Sequence, residues 1–427
     1  MLLEISVSNF RSFRERQTFS MTAVPRLHKK NNVFPAPVTG EKLPDLLKVA
    51  VMYGPNASGK SNFIQALDLV TRVAIRSADA PYNLPVASFR FDPVLADQPS
   101  VFEIHFLVKG CRYEFLLALT KERVVRERLT AYPRGNESVL YDRQHIEGTD
   151  VYEMSGLEGG EAVHDAWKKL TPPRMLFISQ AVASSSEELM QLRAPHRWLT
   201  RGIFSFEPKE ISTIAERSLQ LARDSDHQGR LRSAIAAFLS DVDVPVTNLR
   251  IARPESMSMR EIAREGVSAS LGLSDAVRPP PQARKAAVFT HKSALGEAEF
   301  GFDEESEGTQ NLVGLWLPWL TRGASEDYDR YVLAIDELDS SLHPAIVANL
   351  VKKHLEAAVP SQLIFTTHDT HLMDSKLLRR DQFWISERNM NGATELRSIH
   401  DFEGREGEDI EKRYYEGRYR GLPLVRA

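Results

Sequence analysis

The segment between residues 46 and 75 constrains the fold of this chain more than any other part of the sequence. A short apolar run at 46–52 is rich in β-formers and predicts a buried strand. It leads into Gly-Pro-Asn-Ala-Ser-Gly-Lys-Ser at 54–61, which fits the phosphate-loop pattern G-x-x-x-x-G-K-[ST] at every fixed position. Apolar residues then recur at helical spacing. Strand, glycine-rich loop and helix are the context that this motif requires, so the sequence predicts an α/β fold with a mostly parallel sheet.

Each residue type in the loop has a physical task. Gly54 and Gly59 let the backbone bend so that consecutive N–H groups face an anion, and the helix N-terminus adds partial positive charge. Lys60 supplies an ammonium to the β- and γ-phosphates, and the Ser61 hydroxyl is a hard oxygen ligand for Mg²⁺. A chance glycine turn is the alternative, and the flanking elements argue against it. The predicted nucleotide ligands here are Gly54, Asn56, Ser58, Gly59, Lys60, Ser61 and Asn62.

A second apolar strand is predicted at 331–335, and it ends in Asp336-Glu337. Asp336 is expected to hold Mg²⁺, and Glu337 to orient and deprotonate the attacking water. Two carboxylates at a strand end can instead be a solvated end or a helix cap. The phosphate loop elsewhere in the chain favours the catalytic interpretation.

A third strand is predicted at 362–367, and His368 follows it. A neighbouring parallel strand would deliver this histidine to the same edge of the sheet, where an imidazole can hydrogen-bond the γ-phosphate. The alternative is a structural histidine at a strand end. We predict Glu337, His368 and Lys60 as the catalytic residues.

Several motifs resemble those of the ABC-type ATPase superfamily, in the branch that holds the SMC-like repair ATPases and the OLD-like and RloA-like ATPases. The opening Ile-Ser-Val-Ser-Asn-Phe-Arg-Ser-Phe at 5–13 looks like the amino-terminal strand and turn of that branch. Residues 336–344 look like the acidic strand and D-loop with an "LHP" ending, and 366–369 look like the switch histidine. The resemblance implies that Asn9 and Arg11 lie near the nucleotide.

The resemblance also supplies a signature loop and a Q-loop. Ser-Glu-Gly-Thr-Gln at 306–310, before an apolar helix at 311–320, resembles a shortened S-G-G-Q motif, with Glu in place of the first Gly. It implies that Ser306 and Gly308 bind the γ-phosphate, whereas an ordinary helix cap at Ser306 is the alternative. Gln180 resembles the Q-loop glutamine, an Mg²⁺ ligand, and Gln98 competes for that role.

The middle of the chain predicts an antiparallel β-subdomain followed by helices. Strands are predicted at 89–92, 101–108, 112–119, 124–132 and 139–141, with a hairpin at 109–111. Helical spacing follows at 183–241. The predicted organisation is a first ATPase lobe at 1–180, a helical insertion that binds a partner at 181–284, and a second ATPase lobe at 285–427.

Basic residues cluster at two places in the predicted insertion. Arg193, His196, Arg197 and Arg201 surround Trp198, a composition that can track a phosphate backbone and stack a base. A solvated helix face that packs its tryptophan inward explains the same pattern, and both interpretations stay open. A basic, proline-rich stretch at 278–285 has the composition of a loop, and a strand is predicted after it at 287–291.

Composition excludes several classes of protein. Lysine plus arginine is 54 and aspartate plus glutamate is 58, so the net charge of −4 excludes a histone-like basic coat. The single cysteine, Cys111, excludes an intramolecular disulfide and a multi-cysteine zinc site. No apolar run approaches the roughly 20 residues that span a bilayer, and the amino terminus does not read as a signal peptide. We expect a cytoplasmic protein with no membrane partner.

The resemblance implies a head-to-tail homodimer, or a larger assembly, in which ATP is held between two copies. It further implies the ATPase or sensor component of an anti-phage defence system. The 59 residues after His368 (427 − 368) are too few for the nuclease domain of OLD-like enzymes, so a separately encoded effector is expected. The alternative is a DNA repair or recombination ATPase that clamps DNA. The segment 414–423 resembles the tail of the RloA-like group, and the sequence suggests no mechanism for this segment.

Overall fold

The computed structural model describes residues 1–77, 82–224, 229–252, 286–320, 331–357 and 361–422. Within these residues the chain divides into two compact units. The first comprises Met1–Glu207, Ser325–Asp339 and Leu350–Ala427, and the second comprises Pro208–Ala324 and Ser340–Asn349. The predicted basic loop at 278–285 lies outside the described residues, as does Pro423 at the end of the predicted tail.

The described residues form runs of strands and runs of helices. The strands are β1 (Leu2–Ser8), β2 (Gln17–Ser20), β3 (Val33–Phe34), β4 (Leu46–Leu47), β5 (Val49–Tyr53), β6 (Ser100–Val108), β7 (Cys111–Leu119), β8 (Val124–Tyr132), β9 (Ser138–Ile146), β10 (Thr149–Glu153), β11 (Ile203–Phe206), β12 (Val246–Ile251), β13 (Ala287–Ser293), β14 (Gly296–Gly301), β15 (Val332–Ile335), β16 (Gln362–Thr366), β17 (Phe383–Arg388) and β18 (Thr394–Ser398). The helices are α1 (Lys60–Ala74), α2 (Glu161–Leu170), α3 (Phe177–Ala183), α4 (Arg193–Arg201), α5 (Pro208–Asp224), α6 (Arg230–Ser240), α7 (Glu307–Leu320), α8 (Pro344–Leu355) and α9 (Ile410–Tyr415).

A six-stranded sheet in the order β11-β15-β16-β5-β17-β18 carries the phosphate loop. All neighbours in it are parallel except β17 and β18, which pair antiparallel. Every residue of β5, β15 and β16 is buried, which is typical of parallel strands covered on both faces. The sequence prediction of an α/β fold with a mostly parallel sheet is confirmed, and the chain has the P-loop NTPase fold.

A seven-stranded antiparallel sheet, in the order β10-β9-β8-β7-β6-β1-β2, forms the rest of the first unit's framework. Its long strands alternate buried and half-buried residues because one face packs on the core. The predicted hairpin joins β6 to β7 through Lys109 and Gly110, whose positive φ values of 48° and 76° suit a two-residue turn. One hydrophobic core contains side chains of both sheets and of α1.

The strand predicted at 89–92 is absent, so this prediction is wrong. Phe89 is buried and its backbone N–H donates to Asn9 Oδ1 at 3.0 Å, whereas Phe91 is exposed. Asp92 caps the short turn that follows and pairs with Arg14 at 2.7 Å. The alternation of apolar and polar residues therefore reflects one anchored loop, with no partner strand.

Strand β11 was missed because it lies inside the region of helical spacing. Its four residues pair in parallel with β15, from Ile203 opposite Val332 to Phe206 opposite Ile335. The first unit consequently extends to Glu207, whereas the sequence prediction ended the first lobe at residue 180. A four-residue strand leaves too little periodicity for recognition from sequence.

The second unit has its own three-stranded sheet, in the order β12-β13-β14, and helices α5, α6 and α7. The strand predicted at 287–291 is confirmed as β13. Gly314 lets α7 approach α5, since a Cβ at that position would lie 2.7 Å from the Ile211 carbonyl oxygen. No helix in the described part of either unit is both long and apolar enough to cross a bilayer.

Candidate nucleotide site

The phosphate loop connects β5 to α1 through backbone conformations that glycine alone adopts easily. Gly54 has a φ of +152°, and a Cβ there would collide with the Ser386 carbonyl oxygen. Gly59 has a φ of +109°, and a Cβ there would collide with the Thr394 hydroxyl. Glycine is required at both positions because φ is positive and because β17 and β18 approach the loop closely. The helix begins at Lys60, so its N-terminal amides face the bend of the loop.

The Lys60 side chain folds back onto this loop. Its Nζ donates to the carbonyl oxygens of Gly54 at 2.8 Å and Pro55 at 3.1 Å, and the residue is buried. Burial lowers the pKa of Lys60, and nearby carboxylates partly oppose that shift. These carboxylates belong to Asp336, Glu337 and Asp339. Because neutral carbonyls do not balance the charge of a buried ammonium, an anion can replace them as its hydrogen-bond acceptor.

The acidic pair is positioned by a hydroxyl on the neighbouring strand. Thr366 Oγ1 donates to Asp336 Oδ1 at 2.6 Å and accepts from the Glu337 backbone N–H at 2.8 Å. Glu337 has a φ of +51°, which is uncommon for a residue other than glycine and concentrates at functional sites. The sequence did not single out Thr366, because no pattern distinguishes this hydroxyl from others in a buried strand.

Strand order brings the three predicted motifs to one edge. β15, β16 and β5 are consecutive parallel neighbours, so Asp336, His368 and Gly54 all follow the carboxyl ends of adjacent strands. The His368 side chain is exposed, and its backbone N–H donates to Asp339 Oδ2 at 3.2 Å. The predicted delivery of His368 to this edge is confirmed, whereas its contact with a phosphate stays a prediction.

The amino-terminal turn is tied to the phosphate loop through Ser12. Its Oγ accepts from Asn62 Nδ2 at 2.7 Å and forms a hydrogen bond with Thr394 Oγ1 at 2.7 Å. Asn9 is buried, and its carboxamide bonds the backbone at Phe89, Leu95 and Gln98, so it holds the loop that precedes β6. The Arg11 side chain is exposed. The structure therefore places the turn beside the start of α1, and the nucleotide contacts of Asn9, Arg11 and Asn62 stay predictions.

Two hydroxyl groups that the sequence analysis missed support the loop from behind. Ser386 Oγ on β17 and Thr394 Oγ1 on β18 both donate to the Ser58 carbonyl oxygen, at 2.9 and 2.7 Å. The Ser58 hydroxyl is itself buried without a hydrogen-bond partner in the described residues. An unsatisfied hydroxyl inside a phosphate loop suits a bound anion. Only the fold could reveal these supports, since they come from strands more than 300 positions away.

The predicted Q-loop residue lies in a helix. Gln180 belongs to α3, and its Nε2 donates to Ser184 Oγ at 2.6 Å. The competing Gln98 is exposed and follows the loop that Asn9 holds. Neither side chain has a hydrogen bond to the phosphate loop among the described residues. The choice of a Q-loop glutamine, and with it the Mg²⁺ role of Gln180, stays a prediction.

The carboxyl-terminal tail lies beside the phosphate loop. Tyr414 and Tyr415 line a cavity of about 460 Å³ together with Asn56 and His368. Tyr414 donates to the Gly421 carbonyl oxygen at 2.7 Å, which folds the tail back on α9. The structure therefore shows where the tail lies, which the sequence alone did not indicate.

The predicted signature segment belongs to the second unit and opens α7. Ser306 Oγ accepts from the Thr309 backbone N–H at 3.2 Å, so the helix-cap alternative is confirmed, and the helix begins at Glu307 rather than at residue 311. A Cβ at Gly308 would lie 2.5 Å from the Ser341 carbonyl oxygen. The start of α7 thus packs against Ser341, and the binding of an anion by Ser306 and Gly308 stays a prediction.

The donor set at the first unit's edge fits a magnesium nucleotide. The Ser61 hydroxyl and the Asp336 carboxylate are the hard oxygen ligands that Mg²⁺ prefers. The bent loop, its unsatisfied Ser58 hydroxyl and the Lys60 ammonium form a cradle for phosphate oxygens.

A family model described as "AAA domain, putative AbiEii toxin, Type IV TA system" matches residues 49–149 and 204–374. These ranges contain the phosphate loop, the acidic strand and His368, and they cover more than half of the chain. The chain belongs to this AAA family. Family membership agrees with the P-loop architecture and supports a nucleotide-binding protein, whereas it does not single out the OLD-like branch.

Solved structures with similarity to this AAA protein include two SMC heads. An SMC head bound to the C-winged helix domain of ScpA is 13% identical with a TM-score of 0.44, and the match covers 93% of this chain and 97% of that one. The SMC head domain from Thermotoga maritima is 15% identical with a TM-score of 0.41, over 93% and 98% of the two chains. No curated protein matches the sequence significantly.

Proposed function

We propose that this protein binds ATP with Mg²⁺ at the carboxyl edge of the six-stranded sheet and hydrolyses it. One observation carries the proposal: the Lys60 cradle follows β5 and the Asp336-Glu337 pair follows β15, at the same carboxyl edge of the sheet and on the two sides of β16. Thr366 at the end of β16 bonds the Asp336 carboxylate and the Glu337 backbone N–H. A phosphate-binding loop alone would support binding. The second acid, Glu337, whose backbone N–H is held by Thr366, supports hydrolysis.

Each residue has a role in the proposed reaction. Lys60 and the loop amides bind the phosphate oxygens and balance their charge. Ser61 and Asp336 would hold Mg²⁺, which neutralises charge on the β- and γ-phosphates when bound. Glu337 orients a water in line with the γ-phosphate and accepts its proton. His368, exposed at the same edge, hydrogen-bonds the γ-phosphate.

The proposed cycle couples hydrolysis to self-association. Ser306 and Gly308 at the start of α7 in one copy cap the γ-phosphate held by Lys60 in the other, so that ATP joins two copies head to tail. The support is the N-terminus of α7 at this position, whose partial positive charge attracts an anion. Hydrolysis removes the shared phosphate and releases the dimer, which gives a nucleotide-driven switch.

As a biological role, we propose the ATPase or sensor component of an anti-phage defence system that acts with a separately encoded effector. The support is the resemblance of the motifs to OLD-like and RloA-like ATPases, together with a family description that names a toxin–antitoxin system. A DNA repair ATPase that clamps DNA predicts instead that duplex DNA alone stimulates hydrolysis. Co-purification with the product of a neighbouring reading frame, at a low basal rate, supports the defence role.

The test of the enzymatic proposal is the Glu337→Gln variant. It removes the proton acceptor and keeps the side-chain volume, so phosphate release should fall by on the order of 100-fold while ATP binding persists. Glu356→Gln, on an exposed carboxylate just after α8, is the matched control and should hydrolyse at the parental rate. A Glu337→Gln protein with parental phosphate release would show that Glu337 is not the base.

A further inference from the structure

A second cavity of the first unit lies at the opposite edge of the parallel sheet from the phosphate loop. Its volume is about 810 Å³. Gly202 and Tyr331, which immediately precede β11 and β15, contribute to its wall, as do α4 and the β6–β7 hairpin. Parallel strands place their amino ends together, so this cavity and the nucleotide site occupy opposite ends of the same strands.

Positive charge is concentrated in this cavity. Its lining includes Lys109, Arg193, Arg197 and Arg201, and no acidic residue is among its described lining residues. The whole chain has more acidic than basic residues, 58 against 54, so this composition differs from the average surface. The arginines follow one another every four positions along α4, which spaces them by about 6 Å per step along the helix axis.

Two of these cations are available to a ligand. Lys109 and Arg201 are exposed, and neither side chain makes a hydrogen bond or ion pair with the described residues. Arg193 is partly committed, because its guanidinium donates to the Leu189 carbonyl oxygen at 3.2 Å and the Ser186 carbonyl oxygen at 3.0 Å. Burial lowers the pKa of His196, so the charge of the cavity at neutral pH comes from lysine and arginine.

The floor of the cavity is apolar. Trp198 is buried and stacks on Phe106, with ring centroids 4.1 Å apart, which confirms that this tryptophan packs inward. Its indole N–H is buried without a hydrogen-bond partner in the described residues. Leu107, Val182 and the exposed Met190 complete the apolar surface. A ligand that fits this cavity therefore carries several negative charges and also an apolar part.

We propose that this cavity binds single-stranded nucleic acid. A string of phosphates matches the row of arginines on α4, and unstacked bases match the apolar floor. A duplex keeps its bases stacked and presents a convex backbone, so it cannot fill a concave cavity of this size. The site is separate from ATP hydrolysis, since its residues lie at the other end of the strands.

The test measures binding of a fluorescently labelled single-stranded oligonucleotide to the full-length protein by anisotropy, without nucleotide. The double variant Lys109→Glu/Arg201→Glu should bind at least about tenfold more weakly and show a shallower dependence on salt, by about 0.7 for each lost phosphate contact. Lys121→Glu/Lys292→Glu makes the same change of charge at exposed positions elsewhere and should bind like the parent. Both double variants should keep the parental ATPase rate and thermal transition.

Three results would overturn the proposal. The parental protein could fail to bind the oligonucleotide at low salt. The cavity variant could bind as tightly as the control variant, which would place binding elsewhere. A matched duplex could bind as tightly as the single strand, which would show that the shape of the cavity does not select single strands.

Discussion

The nucleotide edge and the β8–β9 region of the antiparallel sheet each bury a carboxylate near a cation, and they differ in how fully those groups are hydrogen-bonded. In β8, Glu127 accepts from the Phe177 N–H at 2.6 Å, the Ile178 N–H at 3.0 Å and the Tyr141 hydroxyl at 2.7 Å. Arg143 on β9 is buried beside it and donates to Asp150 and to two carbonyl oxygens. The Glu127 carboxylate and every nitrogen of the Arg143 guanidinium thus have protein partners.

The nucleotide edge leaves several buried groups unsatisfied. The Ser58 hydroxyl and Asp339 Oδ1 have no hydrogen-bond partner among the described residues, and Lys60 contacts only neutral carbonyls. Burying polar groups without partners costs free energy, so such a site is maintained for a ligand that completes it. Saturation of the hydrogen bonds, rather than the presence of charge, distinguishes the structural cluster of Glu127 and Arg143 from the proposed nucleotide site.

The largest expected effect is on nucleotide binding by Lys60→Met. Removal of the only cation in the loop should weaken ATP binding by at least about 100-fold. Folding stability should stay close to the parental value, because burial lowers the pKa of Lys60 and the charged form is already disfavoured. Lys48→Met, at the other end of the same strand, is the control. A large fall in the free energy of unfolding without a loss of ATP affinity would show that Lys60 stabilises the fold rather than the bound nucleotide.

The converse effect is expected in the antiparallel sheet. Glu127→Gln replaces one acceptor oxygen by an amide that faces backbone N–H groups, so we expect the free energy of unfolding to fall by about 3 kcal/mol. Glu137→Gln, at an exposed ion pair, should change it by less than about 0.5 kcal/mol. Denaturant unfolding measures both. ATP affinity per folded molecule should be parental, and a selective loss of affinity would show that this cluster belongs to the nucleotide site.

A smaller effect is expected for Thr366→Val, which removes the hydroxyl between Asp336 and Glu337. Hydrolysis should slow by about tenfold, because the ligand and the base lose their common support. Thr366→Ser keeps the hydroxyl and should restore most of the rate. Steady-state phosphate release at saturating ATP measures this difference, and equal rates for the two variants would exclude a positioning role.

The smallest expected effect is a pH dependence in the antiparallel sheet. Burial alone lowers the pKa of His105, but the hydrogen bond to Glu103 and the charges of Glu4 and Glu114 raise it above 6.5 overall. The stabilisation is therefore complete below pH 6.5 and is lost as pH rises through the raised folded value.

The measurement compares the unfolding free energies of the parent and His105→Gln across this window. The difference should shrink with increasing pH and stay below about 1 kcal/mol. ATP affinity should not follow the same curve. A difference that grows with pH would contradict the assigned direction of the shift.

Local motifs made the nucleotide edge predictable from sequence. The spacing of Gly54, Gly59 and Lys60 depends on backbone geometry within one turn, and the apolar runs before Asp336 and His368 mark buried parallel strands. These elements were predicted because each is specified by adjacent residues.

Long-range contacts explain what the sequence did not reveal. Thr366, Ser386 and Thr394 act through hydrogen bonds whose partners are distant in the chain, and their residue types are ordinary for strands. The false strand at 89–92 has the right alternation and no partner strand, which local periodicity cannot detect.

The most direct test of the central claim is the mass of the Glu337→Gln protein in sedimentation with and without Mg²⁺-ATP. We expect the sedimentation mass to shift to that of a dimer or a multiple of dimers when ATP is added, because this variant should bind the nucleotide without hydrolysing it. Adding Lys60→Met to the same chain should abolish the shift. A Glu337→Gln protein that stays monomeric at saturating Mg²⁺-ATP would contradict the account.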